Sequence, residues 1–314
     1  MKILLTGSSG RIGRAIFGAL AAAHEVVGLD RSPFATTRII ADVTDHQAVV
    51  RAVQGVDAVI HTAALHAPHV GLVPDAVFQQ INVDATAHLL QAAREAGARR
   101  FVLTSTTALY GHAGVAGGCR WIDEDTEPLP RTIYHRSKLQ AEALAEAAAA
   151  PDFGVRVLRM GRCFPEPPER MAMFRLHRGI DARDVASAHA ALLLDEGPAF
   201  ARYIACAATP FRREDCLELA TQPRNVLAAR TAAAGRVRAP RLAVAAERRP
   251  RLRQRPHPQG AGVAAAFRAG RRAAAVRRRQ HRGVATRGVD QGSGGRIGDA
   301  GTDPSPSLSG FRNV

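Results

Sequence analysis

The stretch Thr6-Gly7-Ser8-Ser9-Gly10-Arg11-Ile12-Gly13 decides how the chain is read. It follows the apolar run Ile3-Leu4-Leu5 and precedes a helical pattern over 11–23, with Ile12, Ala15, Ile16 and Leu20 on one face. Three glycines at intervals of three, between a strand and a helix, let backbone N–H groups approach a phosphate where a Cβ would intrude. The helix then aims free N–H groups and a partial positive charge at that phosphate. A tight connection without a ligand would use the same glycines, so the turn is weighed with its surroundings.

Those surroundings continue the pattern. A second strand, 25–30, ends in Asp30, 17 residues after Gly13. An acid there accepts the adenosine ribose hydroxyls and repels a 2′-phosphate, which favours NAD over NADP; Arg31 beside it is the feature that would admit NADP. A third strand, 38–41, ends at Asp42-Val43, and a helix is expected over 45–54. The fourth, 57–61, runs into Thr62-Ala63-Ala64, where small residues leave room for a cofactor. A long helical pattern over 74–96 carries Asn82, and a fifth strand, 100–104, opens into Ser105-Thr106. This alternation predicts an α/β fold, a doubly wound parallel Rossmann sheet, with ligands beyond the carboxyl ends of its strands. Further on we expect a polar loop over 111–131, a helix over 132–150 and a sixth strand over 155–160. An irregular segment over 163–178, a helix over 184–194, a strand over 202–207 and a helix over 212–220 follow.

Tyr134-His135-Arg136-Ser137-Lys138 sets a phenol and an ammonium one helical turn apart on one face. A free tyrosine ionises at about 10. A neighbouring cation, and the positive ring of an oxidised nicotinamide, favour the phenolate. Tyr134 could then accept a hydroxyl proton while hydride leaves the same carbon, with Thr106 giving a second hydrogen bond to that oxygen. Lys138 could also hold the nicotinamide ribose.

Taken together, residues 1–222 resemble the extended short-chain dehydrogenase/reductase family, in its NAD-dependent epimerase/dehydratase branch. The motifs are Gly7-x-x-Gly10-x-x-Gly13, Gly28-Leu29-Asp30, Asp42-Val43, His61-Thr62-Ala63-Ala64, Asn82-Val83, Ser105-Thr106 before Leu109-Tyr110-Gly111, and Tyr134-x-x-x-Lys138. The resemblance implies NAD bound by Gly7, Gly10, Arg11, Ile12, Gly13, Asp30, Arg31, Asp42, Val43, Ala63, Ala64, Tyr134 and Lys138. It implies Tyr134 as acid and base, Lys138 as its electrostatic partner and Thr106 as a substrate hydrogen-bond donor. Asn82 belongs beside the substrate, and Tyr110 is expected to pack in the sheet. The substrate would be a sugar or nucleotide sugar. UDP-glucose 4-epimerases in this branch carry a substantial segment after the sixth strand; here 162–180 is short. The run Arg159-Met160-Gly161-Arg162-Cys163-Phe164-Pro165-Glu166-Pro167, with Arg170-Met171 beyond, is similar to uronate dehydrogenases and makes Arg170 the candidate for a sugar carboxylate. Thr107 and Ala108 leave no dehydratase-type acid beside Thr106. A homodimer through the Asn82 and Tyr134 helices is a further expectation of the resemblance. A non-catalytic NAD(P)-sensing or nucleic-acid-associated protein is the competing class.

The chain has 314 residues and a net charge of +15, unevenly placed. Residues 223–314 hold 20 arginines, no lysine and 4 acids, net +16, which leaves 1–222 at net −1. The tail is rich in Ala, Arg, Gly and Pro, and its only aromatics are Phe267 and Phe311. High charge with few large apolar groups predicts low order. Arginines bind phosphates, but the stacking side chains that engage bases are scarce, so nucleic acid is expected only through this tail. Its composition is also that of an out-of-frame reading of a GC-rich gene, entered after about Thr221. Cys119, Cys163, Cys206 and Cys216 show no metal-ligand or disulfide spacing, so no metal is expected and a reduced, cytoplasmic setting is. The apolar run before the glycines is too short for a secretory leader, and no segment reaches the ~18 apolar residues of a membrane span.

Overall fold

A computed structural model describes residues 1–111, 119–232 and 251–252. Seven strands form one parallel sheet: β1 (Lys2–Thr6), β2 (Glu25–Asp30), β3 (Ile39–Ile40), β4 (Ala58–His61), β5 (Arg100–Thr106), β7 (Gly154–Met160) and β8 (Phe200–Ala205). The short β6 (Trp121–Ile122) stands apart and pairs with β9 (Arg251–Leu252). The sheet order is β3-β2-β1-β4-β5-β7-β8, so the winding reverses between β1 and β4. A crevice opens at that reversal, beyond the carboxyl ends of the strands.

The strands read as continuous apolar runs because both faces are covered. On one face α1 (Arg11–Leu20) and α7 (Ala182–Leu193) pack Ile16, Leu20, Val185, Ala188 and Leu192 against Ile3, Leu5, Ile60 and Val102. On the other, α2 (His46–Ala52), α4 (Ala85–Glu95) and α5 (Ile133–Ala148) pack Val49, Leu89, Ala141 and Ala145 against Leu4, Val59, Phe101 and Val155. Thr132 caps α5, its hydroxyl accepting the His135 N–H.

Three segments depart from expectation. The long helix over 74–96 is interrupted: α3 (Asp75–Gln79) passes through a π-turn, Gln80–Asp84, before α4. There the Ala85 N–H reaches back five residues to the Gln80 carbonyl. The segment over 163–178, expected to be irregular, contains the helix α6 (Pro168–Arg175), started by Pro168 in its first turn. Helical order also continues past the composition break at Gln222. After α8 (Cys216–Thr221), α9 (Pro223–Ala232) buries Val226 against Phe211 and Leu219, and Arg230 makes a two-pronged contact with Asp215. The rest of the expected low-order, out-of-frame tail lies outside the described residues, apart from β9. No described helix is long and apolar enough to cross a membrane.

Candidate active site

The glycine turn closes directly on β1. Gly7 has φ of +72°, a left-handed conformation, and its N–H bonds the Leu29 carbonyl at 2.9 Å. A Cβ on it would stand 2.5 Å from Thr62 Oγ1 and 2.6 Å from Ala63 N. Gly13 lies under the turn, where a Cβ would collide with the Gly7 carbonyl. Gly10 serves a different purpose. It is the N-cap of α1, no side chain caps that helix, and only the Gly7 carbonyl, 3.3 Å away, would meet a Cβ there. The first N–H groups of α1 are therefore left for a ligand.

Asp30 ends β2 beside this turn. Its Oδ2 accepts the Ser9 N–H and its Oδ1 the Ser32 N–H, each at 3.0 Å. Arg31 is exposed. Asp42, past β3, binds the Thr44 N–H and hydroxyl at 2.9 Å through Oδ1, and Val43 is buried. Ala63 and Ala64 leave β4 half-buried. Arg11 and Ile12 open α1, and the Arg11 charge favours the thiolate of Cys163 just after β7. Glycine turn, Asp30, Asp42, Ala63, Ala64 and Thr106 thus share the carboxyl rim of the sheet.

Tyr134 and Lys138 are both buried on α5. Thr106, the last residue of β5, stands near enough to the Tyr134 phenol to favour its anion, and its Oγ1 accepts the Ala108 N–H at 3.1 Å. Lys138 is close enough to His61, the last residue of β4, for its charge to oppose protonation there. His61 Nδ1 in turn lies 2.6 Å from Thr6 Oγ1, one residue before Gly7. His61 therefore joins the start of the glycine turn to Thr86 on α4, within range of the Lys138 charge.

With the protein's own groups alone, burial governs both members of the pair. It pushes the Tyr134 phenol up to about 12, against the Thr106 hydrogen bond that favours the phenolate. Burial also pulls Lys138 down to about 8, with Glu142 working in the opposite direction. Desolvation sets the phenol's ionisation among the protein's own groups, and the two charges expected to favour the phenolate, Lys138 and an oxidised nicotinamide, act together only with the cofactor bound.

Two residues expected near the substrate engage the protein's own groups. Asn82, in the π-turn, accepts the Leu65 N–H at 2.8 Å and donates to the Leu65 carbonyl at 2.9 Å and to Ser137 Oγ at 3.0 Å. Its amide holds the loop after β4 against α5 and is occupied by the protein. Arg170, on α6, is 61% exposed and lies 3.8 Å from Glu166. Arg162 takes the inner place. It pairs with Glu166 through both nitrogens, at 2.9 and 2.7 Å, and lies over the rings of Phe164 and Phe174. Tyr110 packs as expected, buried, donating to the Asp123 carbonyl at 3.0 Å.

Glu142 forms a buried ion pair with Arg159, a pairing that the sequence alone did not reveal. The available signal was spacing, since Tyr134, Lys138 and Glu142 recur every four residues on one helix.

This arrangement defines a class: α/β proteins that hold a dinucleotide across the switch point of a parallel sheet. Residues 3–170, more than half of the chain, match the model of the NAD dependent epimerase/dehydratase family. The chain belongs to that family. A 3-beta-hydroxysteroid dehydrogenase of Mycolicibacterium neoaurum is 32% identical over 157 residues, 45% of this chain and 41% of the relative. An NAD-dependent glucose-6-phosphate dehydrogenase of Haloferax volcanii is 36% identical over 119 residues, 35% of this chain and 44% of the relative. The chain thus matches less than half the length of these relatives. A solved structure of a mutated uronate dehydrogenase superposes with a TM-score of 0.57 at 24% identity, covering 66% of this chain and 74% of that one, and shares the fold.

Proposed function

We propose that the chain is an NAD-dependent oxidoreductase moving hydride between the cofactor and a hydroxyl-bearing carbon of a sugar or nucleotide sugar. Within that range a compact sugar or sugar acid is favoured. The observation that carries the reading is the pair Tyr134 and Lys138, buried one helical turn apart on α5, with Thr106 at the end of β5 beside the phenol and the glycine turn on the same rim. The residues present fit NAD. Gly10 leaves the α1 N-terminus uncapped for a pyrophosphate, and Asp30 stands where ribose hydroxyls need an acceptor. NAD, when bound, supplies the hydride acceptor and a positive charge beside the phenol.

The protein's part is positioning and proton transfer. Thr106 orients the substrate hydroxyl, and the Tyr134 oxygen accepts its proton. Lys138, with its ammonium one turn along, stabilises the phenolate that accepts this proton. In the reverse direction Tyr134 returns the proton to the carbonyl oxygen. Support for a compact substrate comes from the segment after β7. It leaves the sheet at Arg162 and has returned by Gly179, with Arg162 N–H on the Arg178 carbonyl at 2.8 Å and Ile180 N–H on the Arg162 carbonyl at 2.9 Å. One short helix, α6, fills that excursion.

The test is a screen of the full chain with NAD against aldoses, sugar phosphates, uronates and UDP-sugars, following NADH absorbance and sugar products. Net NADH with a free sugar or uronate supports the reading. An epimerised UDP-sugar with no net NADH would replace it with epimerisation. Tyr134→Phe should keep NAD binding and lose about 10²–10⁴ in turnover, the usual worth of a positioned acid or base. Unchanged turnover removes Tyr134 from the reaction.

A further inference from the structure

Glu142 is 1% exposed on α5, one turn beyond Lys138 and two beyond Tyr134. Its carboxylate is held from three strands. Ser105 on β5 donates its hydroxyl to Oε1. Arg159 on β7 donates Nε to both oxygens at 3.1 Å and Nη2 to Oε2 at 2.7 Å. Arg202 on β8 brings its Nε within 3.2 Å of Oε2 and also pairs with Glu146. Arg159 extends the network by donating to Tyr110 Oη at 2.9 Å. One carboxylate therefore faces two guanidiniums and, along its own helix, the Lys138 ammonium, whose charged form it favours. From β4 the opposing group is His61, which burial keeps neutral.

Packing alone is a poor reason for such a cluster, because well-fitted apolar side chains stabilise a core as well as or better than a buried ion pair. Two placements connect it to the reaction. Ser105 immediately precedes Thr106, so the Ser105–Glu142 bond fastens the end of β5 to α5 beside the Thr106–Tyr134 contact. Lys138 and Lys2 are the only lysines in the chain, and Glu142 is the buried carboxylate one turn beyond Lys138 on its own helix.

We propose that Glu142 is a positioning residue: its carboxylate is the counter-charge of Lys138 and pins the Tyr134 helix to the strand end that carries Thr106. The assignment rests on the hydride-transfer reading above, but its test is separable from it. With only two lysines, protein labelled with ¹³C-lysine gives two side-chain signals, and Lys138 can be titrated directly by NMR. In Glu142→Gln the Lys138 titration should move down by about one pH unit or more, because an attractive charge is lost and two repulsive guanidiniums are exposed to it. Lys2 should not move. The kcat should fall about tenfold with KM and the NAD dissociation constant little changed, and the alkaline loss of kcat should begin at lower pH. An unmoved Lys138 titration overturns the counter-charge, and an unchanged kcat overturns the positioning role.

If Glu142→Gln does not fold, Ser105→Ala removes the pin and keeps the charge. It should lower kcat severalfold with the Lys138 titration in place, and an unchanged kcat refutes the pin. Glu142→Asp then reads the counter-charge: Lys138 should titrate near its wild-type value with kcat still low, and a titration displaced by more than about one unit refutes it. A wild-type chain inactive on every hydroxylated substrate would remove the hydride-transfer reading, while the lysine titration would still decide the role of Glu142.

Discussion

Asn82 grips both polar groups of one residue, accepting the Leu65 N–H at 2.8 Å and donating to the Leu65 carbonyl at 2.9 Å. This fixes the loop that leads from Ala63 and Ala64. In Asn82→Leu two buried backbone groups lose their partners, each costing about 1–3 kcal/mol. Urea unfolding should show a loss in that range or above, and NAD affinity should fall with it. A loss within about 0.5 kcal/mol, the size of an ordinary surface substitution, would show that water replaces the amide.

Gly13 and Gly18 occupy one helix and should respond oppositely to alanine. A Cβ on Gly13 meets the Gly7 carbonyl and stands 2.8 Å from Ser8 Cα, whereas no atom of the described residues lies within 4 Å of one on Gly18. Gly18→Ala should raise stability by about 0.5–1 kcal/mol and leave NAD binding alone. Gly13→Ala should displace the turn, lowering stability by about 1–3 kcal/mol and weakening NAD binding. Thermal melts with and without NAD separate the two.

The Tyr134 phenol is pushed up to about 12, as are Tyr110 and Tyr203, the other two tyrosines. Ultraviolet difference titration of the wild type against Tyr134→Phe isolates the one of interest. Saturating NAD should lower its ionisation by about one unit or more, because a positive ring beside the phenol favours its anion. No shift would place the nicotinamide away from Tyr134.

His61 is held neutral by burial, its ionisation pulled from 6.5 to about 3, and buried His189 is pulled to about 4. The unfolded chain takes up these protons as pH falls through 6.5, and the folded chain does not. The stability each contributes is thus complete above that pH and is lost as pH falls below it. The slope is about 1.4 kcal/mol per pH unit for each proton. His61→Gln should flatten the acid limb of a stability–pH curve by one such proton, and an unaltered slope would mean that His61 is charged in the folded protein.

Much of the sheet was legible because its strands are uninterrupted apolar runs ending in glycine, acid or small residues, a pattern that only strands covered on both faces require. The rim residues followed from it. What escaped was set by contacts between distant segments. The π-turn has no composition of its own, and around it Asn82 and Thr86 reach Leu65 and His61. Arg170 matched a motif, but the stacking of Phe164 and Phe174 on Arg162 decided which arginine lies inside. Helix α9 was hidden by the arginine content around it, since Val226 finds its apolar partners in Phe211 and Leu219.

The extra residue in the turn at Gln80–Asp84 makes this helix sensitive to length rather than to composition. Deleting one residue there would close the wide turn and change which of its side chains face inward, where Asn82 and Thr86 now meet Leu65 and His61. Gln80 and Asp84, both exposed, should accept almost any side chain. Engineers altering this protein can repaint that surface freely, but they should never shorten it.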